Sequence, residues 1–106
     1  MFDIEVKWEW VDVTPGAEVS EEALHVAAKS IVEALGPDYL APAVATPGSD
    51  DFHFYTVKHP TLKAAMIGVG ANLTPGLHHP KMTFDRRALI DGSKAVAVTL
   101  KNMATK

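Results

Sequence analysis

The sequence predicts an α/β fold, because segments with the periodicity of strands alternate along the chain with segments of helical periodicity. Three observations support this prediction: a period-two pattern at residues 2–10, a helical pattern at about residues 20–35, and a continuous apolar run at residues 63–69. At 106 residues, with 47% hydrophobic and 22% charged residues, the chain has the size and composition of one folded domain.

Residues 2–10 are predicted to form a strand with one solvated face. Apolar side chains alternate strictly with charged ones in this segment, and the apolar set is Phe2, Ile4, Val6, Trp8 and Trp10. No hairpin partner follows, because residues 11–19 contain the turn formers Pro15 and Gly16. Since an unpaired strand edge favours pairing with another chain, we predict a homo-oligomer that assembles through residues 2–10.

Two amphipathic helices are predicted. The first covers about residues 20–35, with Ser20 as its N-cap and Gly36 with Pro37 at its end. The second follows a cap at Asp85 and continues to the end of the chain. Its apolar stripe consists of Ala88, Leu89, Ala95, Val96, Leu100 and Met103.

The stretch between the first helix and the apolar run is less regular. Residues 39–46 are apolar but contain Pro42, which allows at most a short or edge strand. Ser49 or Asp50 can then cap a short helix that extends to Tyr55 or to Lys58.

The apolar run at residues 63–69 predicts a strand that is buried on both faces and central in its sheet. Residues 70–83 are polar and rich in Pro and Gly, so they predict a loop that leaves the end of this strand. Ligands bind at such strand ends in open α/β sheets. Two or three strands make a thin sheet around an apolar central strand, so the sequence predicts part of a larger fold.

Composition and charge exclude several classes of protein. The absence of cysteine excludes disulfide scaffolds, thiolate zinc sites and cysteine nucleophiles. A net charge of -3, with Arg86 and Arg87 as the main basic cluster, argues against nucleic-acid binding. The apolar runs are too short to span a bilayer, and residues 1–7 lack the basic start of a signal peptide. We therefore predict a cytoplasmic protein without membrane contact.

Candidate chemistry lies in the histidines and in one pair of acids. His78 and His79 lie in the predicted ligand loop, where adjacent side chains point in different directions, so one can face a ligand while the other is structural. Asp50 and Asp51 have an ordinary explanation as helix-capping acids. They could also join His78 in a zinc or manganese site if the two loops meet. The remaining histidines are interpreted as surface or packing residues: His25, His53 and His59.

Three stretches, in this order, resemble the carboxyl-terminal end of a known enzyme family. They are Pro-Gly-Ser-Asp-Asp-Phe-His-Phe-Tyr at residues 47–55, Met-Ile-Gly-Val-Gly at residues 66–70, and Gly-Leu-His-His-Pro-Lys-Met-Thr-Phe-Asp at residues 76–85. The family is the metal-dependent aminoacylase, hippurate hydrolase and indole-acetyl-amino-acid hydrolase group of the co-catalytic zinc peptidases.

The resemblance implies a specific fold and domain organisation. The expected fold is a partial α/β sandwich, the end of a zinc-peptidase catalytic domain, preceded by one strand of the family's inserted dimerisation domain. Residues 1–106 would then form a single partial domain. Residues 1–12 would supply the strand of the dimerisation domain, and residues 18–106 the carboxyl-terminal part of the catalytic domain.

The resemblance also implies site residues. His78 matches a ligand of the family's metal pair, for which zinc is the first expectation and manganese or cobalt are alternatives. Gly48, Ser49, Asp50 and Asp51 match a substrate-binding stretch, with Asp50 where relatives commonly have glutamate. No catalytic residue carries over, because the other metal ligands and the glutamate general base have no counterpart here. The metal site is therefore expected to be incomplete in this chain.

The implied function is that of a carboxyl-terminal fragment of a metal-dependent amidohydrolase or peptidase. The full enzyme would hydrolyse N-acyl amino acids or small peptides, and the fragment alone would be inactive. One alternative stays open: a non-catalytic α/β oligomerisation or interaction module, suggested by the unpaired segment at residues 2–10.

Overall fold

The computed structural model describes residues 3–105. They belong to two compact units. The first unit is drawn from Met1–Glu18 and Thr46–Leu62, and the second from Val19–Ala45 and Lys63–Lys106.

The described residues contain α-helices and short 3-10 turns. Helix α1 covers Glu21–Leu35, helix α2 covers Phe54–Lys58, and helix α3 covers Ala88–Ala104. The 3-10 turns lie at Pro37–Tyr39 and Asp51–His53. None of the helices formed by residues 3–105 combines the length and apolar composition that a membrane crossing requires.

Helix α1 begins and ends at the predicted residues. The Ser20 side chain accepts a hydrogen bond from the Ala23 amide at 3.3 Å and so satisfies one of the free donors of the first turn. At the other end Gly36 adopts φ 100°, and its amide donates to the Val32 carbonyl at 2.9 Å. A positive φ favours glycine because it has no Cβ. The prediction for this helix is confirmed.

The second unit is built on the packing of α1 against α3. Each helix buries small residues at helical spacing: Ala23, Ala27 and Ser30 on α1, and Ala95 and Thr99 on α3. Small side chains allow two helix backbones to approach closely, and the i, i+4, i+7 spacing puts them on one face.

A polar contact crosses this helix interface. The fully buried Ser30 hydroxyl donates to the Val26 carbonyl at 2.6 Å and accepts from the Asn102 amide group at 2.9 Å. Asn102 also donates to Glu33 at 2.9 Å. Among the described residues, no buried side-chain nitrogen or oxygen lacks a hydrogen-bond partner, as expected for a packed interface.

The predicted α/β partial sandwich is wrong, as is the preceding strand assigned to the dimerisation domain. Residues 3–105 contain no β-strand, and their one β-type pairing is an isolated antiparallel bridge between Thr74 and Thr83. A strand requires a partner that accepts and donates its backbone hydrogen bonds. Residues 3–10 and 63–69 have the side-chain patterns of strands, but no described segment forms a ladder with either of them.

The burial of the apolar run also differs from the prediction. Met66 is 50% exposed and Val69 is 49% exposed, so this segment is not buried on both faces. Its Ala64 carbonyl accepts a hydrogen bond from the Ser20 amide at 3.1 Å, which joins the segment to the start of α1. Residues 39–46 form no strand either. Periodicity indicates which face a chain prefers to bury, but it does not supply the layer that buries it.

Three further predictions have different outcomes. Asp50 caps the turn that leads into α2, which ends at Lys58, so the predicted short helix is confirmed. Phe2, at the start of the predicted first strand, lies outside the described residues. The assignment of residues 1–12 and 18–106 to two domains of a parent enzyme stays a prediction.

Candidate functional site

The loop that carries His78 has a closed base in the second unit. Thr74 and Thr83 exchange two backbone hydrogen bonds, at 3.0 and 2.8 Å. The Asp85 amide donates to the Ala71 carbonyl at 2.8 Å, which adds a further contact at the point where the chain turns toward α3. The loop tip is therefore held by its own backbone rather than by regular secondary structure.

His78 lies in the tip in an unusual conformation. Its φ is 66°, in the left-handed region, which costs a residue other than glycine about 1–2 kcal/mol. The side chain is exposed, and its ring forms no hydrogen bond or ion pair with the described residues. Strained residues with uncommitted polar groups cluster at binding and catalytic sites. Both features of His78 therefore suit a ligand-binding role.

His79 serves the loop itself. Its amide donates to the Gly76 carbonyl at 3.3 Å, and its carbonyl accepts from the Met82 amide at 3.0 Å. Its ring Nδ1 accepts a hydrogen bond from the Lys81 amide at 3.1 Å. Because its Nδ1 already accepts a hydrogen bond, the His79 ring helps to hold the loop.

An ion pair follows the loop. Arg87 Nη2 lies 2.7 Å from Asp85 Oδ2, and Asp85 Oδ1 also accepts the Arg87 amide at 3.0 Å. The side-chain hydrogen bond from Arg87, followed by the backbone one, lowers the pKa of Asp85 below its ordinary value. The Ala88 amide donates to the Asp85 carbonyl at 3.1 Å, so the turn starts at the predicted cap although α3 begins three residues later.

The predicted substrate-binding stretch lies in the first unit. Asp50 Oδ1 accepts the Phe52 amide at 2.8 Å, and the Asp50 carbonyl accepts the His53 amide at 3.1 Å. The Ser49 hydroxyl forms a hydrogen bond with the hydroxyl of Thr14. The capping interpretation of Asp50 is therefore confirmed, and one oxygen of its carboxylate is committed to that role.

A groove in the first unit was not predicted from the sequence. It has a volume of about 520 Å³, and its lining residues are Asp51, Phe52, Phe54, Tyr55, Lys58 and His59. The rings of Phe52 and Tyr55 meet edge to face, with centroids 5.8 Å apart. The i, i+3 spacing of these two aromatic residues was the available sequence signal. His53 is buried in this unit, which agrees with its predicted packing role.

The predicted site residues are divided between the two units. His78 belongs to the second unit, whereas Gly48, Ser49, Asp50 and Asp51 belong to the first. The role of His78 as a metal ligand, and that of the other four in binding substrate, stay predictions.

The donor groups of the described residues do not fit a complete metal centre. Among residues 3–105, no group of three or more His, Asp or Glu side chains is placed to hold a metal ion. A catalytic zinc takes three protein ligands and one water. His78 could contribute a single imidazole, so this part of the chain does not provide such a centre by itself.

Comparison with protein families identifies the class of this chain. The model of peptidase family M20/M25/M40 matches residues 3–102. Since the match covers almost the whole chain, the chain belongs to this family, whose peptidases are generally metal-dependent. No curated protein and no solved structure matches it significantly. The hydrolase and metallopeptidase parts of the resemblance are confirmed, while the aminoacylase group within the family is not distinguished.

Proposed function

We propose that this chain is the carboxyl-terminal part of a metal-dependent amidohydrolase of the aminoacylase type, acting on N-acyl amino acids or small peptides. Family membership supports hydrolase chemistry. The observation that carries the proposal is His78, an exposed imidazole held at a positive φ on a loop with a closed base. Such an imidazole is a suitable ligand for zinc, manganese or cobalt.

In this proposal the chain's own residues bind and orient rather than transfer protons. His78 offers a ring nitrogen to the metal, and the hydrogen bonds of His79 hold the loop that presents it. The turn capped by Asp50 keeps Ser49 and Asp51 in a fixed backbone conformation against the substrate. The other metal ligands and the general base come from outside this chain, so the chain alone is inactive.

The DNA upstream of the Met1 codon provides the first test. We expect the reading frame to continue upstream through His, Asp and paired Glu codons, and the longer product to hydrolyse N-acyl amino acids when loaded with zinc. His78→Ala should lower kcat/KM of that product by about 100-fold or more, because it deletes a metal ligand. His79→Ala is the matched control and should change kcat/KM by less than about tenfold.

Assays of the 106-residue chain complete this test. With zinc, manganese or cobalt it should not hydrolyse N-acyl amino acids, because it lacks a complete donor set among its described residues. If the 106-residue chain hydrolysed these substrates, and His78→Ala abolished that activity, the expectation that the chain alone is inactive would be contradicted. A stop codon followed by a translation start directly before Met1 would contradict the proposal that the chain is part of a longer enzyme.

A second candidate function is a non-catalytic interaction module. The observation that favours it is the exposure of the apolar side chains at positions 4, 6, 8 and 10, each at least 73% exposed. Such a module would bind its partner equally well in the wild-type chain and in His78→Ala. That outcome, together with no activity in any longer product, would favour this candidate over the enzyme.

A further inference from the structure

Lys81 lies close to His78 at the tip of the loop. His79 belongs to both turns of the tip: its amide donates across the turn of residues 76–79 at 3.3 Å, and its carbonyl accepts across the turn of residues 79–82 at 3.0 Å. His78 and Lys81 each occupy the third position of one of these turns. Three residues of chain span at most about 11 Å, so one small ligand can contact both side chains.

The backbone of Lys81 is held in place, whereas its side chain is uncommitted. Its amide donates to His79 Nδ1 at 3.1 Å, and Pro80 before it has the fixed φ that suits the second position of a turn. The Lys81 side chain is exposed, and it forms no ion pair with any of the described residues. The loop therefore holds this residue while its ammonium group stays available to a ligand.

The positive charge around the loop is only partly neutralised. The chain has a formal net charge of -3, but residues 71–87 contain three basic side chains and one acidic one: Lys81, Arg86, Arg87 and Asp85. Asp85 pairs with Arg87, which leaves Lys81 and Arg86 without an ion-pair partner among the described residues. Of these two, Lys81 is the one that the turns hold in the loop tip. An uncompensated cation of this kind attracts anionic ligands.

We propose that Lys81 binds the free carboxylate of the substrate and so selects anionic substrates, an inference that rests on the proposed function above. An N-acyl amino acid or small peptide carries this carboxylate only a few bonds from its scissile amide carbonyl. A substrate whose carbonyl lies at the metal held by His78 therefore brings its carboxylate close to the loop tip. The Lys81 ammonium donates charge-assisted hydrogen bonds to it, which are stronger than hydrogen bonds between neutral groups.

The longer product of the upstream reading frame tests this role with two substrates, an N-acetyl amino acid and its neutral carboxamide. Wild type should prefer the acid. Lys81→Met should raise KM for the acid about tenfold with little change in kcat, because the lost contact is made equally in the bound substrate and in the transition state. KM for the carboxamide should stay within about twofold, so the preference for the acid falls. Rising ionic strength should weaken this preference more in wild type than in Lys81→Met.

Two further variants separate a contact from a general effect of charge. Lys81→Arg keeps a cation at the same place and should retain much of the preference for the acid. Lys94→Met is the matched control, because Lys94 is another exposed lysine of the second unit, lies on α3 and has no ion pair with the described residues. It should leave both KM values unchanged.

Three results would overturn the proposal. An unchanged KM for the acid in Lys81→Met would exclude the contact. An equal rise of KM for the acid and for the carboxamide would show a loss of loop structure instead of a lost charge contact. The same loss of preference in Lys94→Met would show a general effect of charge. A wild-type longer product that hydrolyses neither substrate would overturn the proposed function, and the role of Lys81 with it, before any variant is compared.

Discussion

His78 and His79 are adjacent and chemically identical, yet the loop gives them different environments. The His79 ring accepts a backbone hydrogen bond, whereas the His78 ring has no polar partner among the described residues. His78 also has a φ of 66°, in the left-handed region that residues other than glycine rarely adopt, and its side chain is exposed. The role of His78 as a metal ligand stays a prediction, which these features of its environment suit.

Asp85 should make the start of α3 sensitive to acid. Its pKa is lowered by the hydrogen bonds from Arg87, so its contribution to stability is complete above the ordinary aspartate pKa of about 4. This contribution is lost as the pH falls through the lowered value in the folded state. We expect Asp85→Asn to lower the unfolding temperature slightly at pH 7, and this difference to shrink as the pH falls below the ordinary aspartate pKa of about 4. Thermal unfolding followed by circular dichroism from neutral to acid pH measures this. If the difference in unfolding temperature between wild type and Asp85→Asn stayed the same in acid, the ionised Asp85 carboxylate would not be its cause.

At the scale of elements, the residues that flank α1 explain where this helix begins and where it ends. Ser20 supplies an acceptor at the start of α1, and Gly36 supplies a backbone conformation at its end that other residues avoid. Gly36 has φ 100° and ψ 163°, a combination that is almost restricted to glycine.

Gly36→Ala should therefore destabilise the second unit by about 1–3 kcal/mol through backbone strain, although a Cβ there would meet no atom within 4 Å. Gly70→Ala is the matched control in the same unit, since Gly70 has no positive φ and equally open surroundings. Its effect should lie within about 1 kcal/mol and can be stabilising. Urea unfolding at equilibrium compares the two variants. Equal destabilisation by both would exclude strain at Gly36 as the cause.

At the scale of the whole molecule, the candidate metal ligand and the exposed apolar row belong to different units. His78 lies in the second unit, and the exposed apolar row of residues 3–10 lies in the first. Metal binding by His78 and partner binding by the apolar row can therefore be tested separately, by variants in one unit that leave the other unit unchanged.

Zinc should not stabilise the 106-residue chain. A ligand stabilises a fold by RT ln(1 + [L]/Kd), and this term stays small for a single imidazole, which binds zinc weakly. We expect the unfolding temperature to shift by less than about 1 °C when zinc replaces a chelator. Differential scanning calorimetry of wild type and His78→Ala measures this. A shift of several degrees that is lost in His78→Ala would reveal a site that the described residues do not show.

The sequence by itself determined the features that depend on neighbours along the chain. The capping of α1 by Ser20, its end at Gly36 and the turn at Asp50 follow from contacts between residues two to four apart. The three stretches at residues 47–55, 66–70 and 76–85 likewise indicated the peptidase family whose model matches residues 3–102.

Tertiary structure decided the features that depend on contacts between segments far apart along the chain. The strand patterns of residues 3–10 and 63–69 predicted a sheet, but neither finds a ladder partner among the described residues. The different surroundings of the His78 and His79 rings likewise appear only in the loop closed by Thr74 and Thr83, where the His79 ring accepts the Lys81 amide. Both follow from one physical reason: a pattern expresses the preference of a segment, whereas pairing and burial require a second segment to be present.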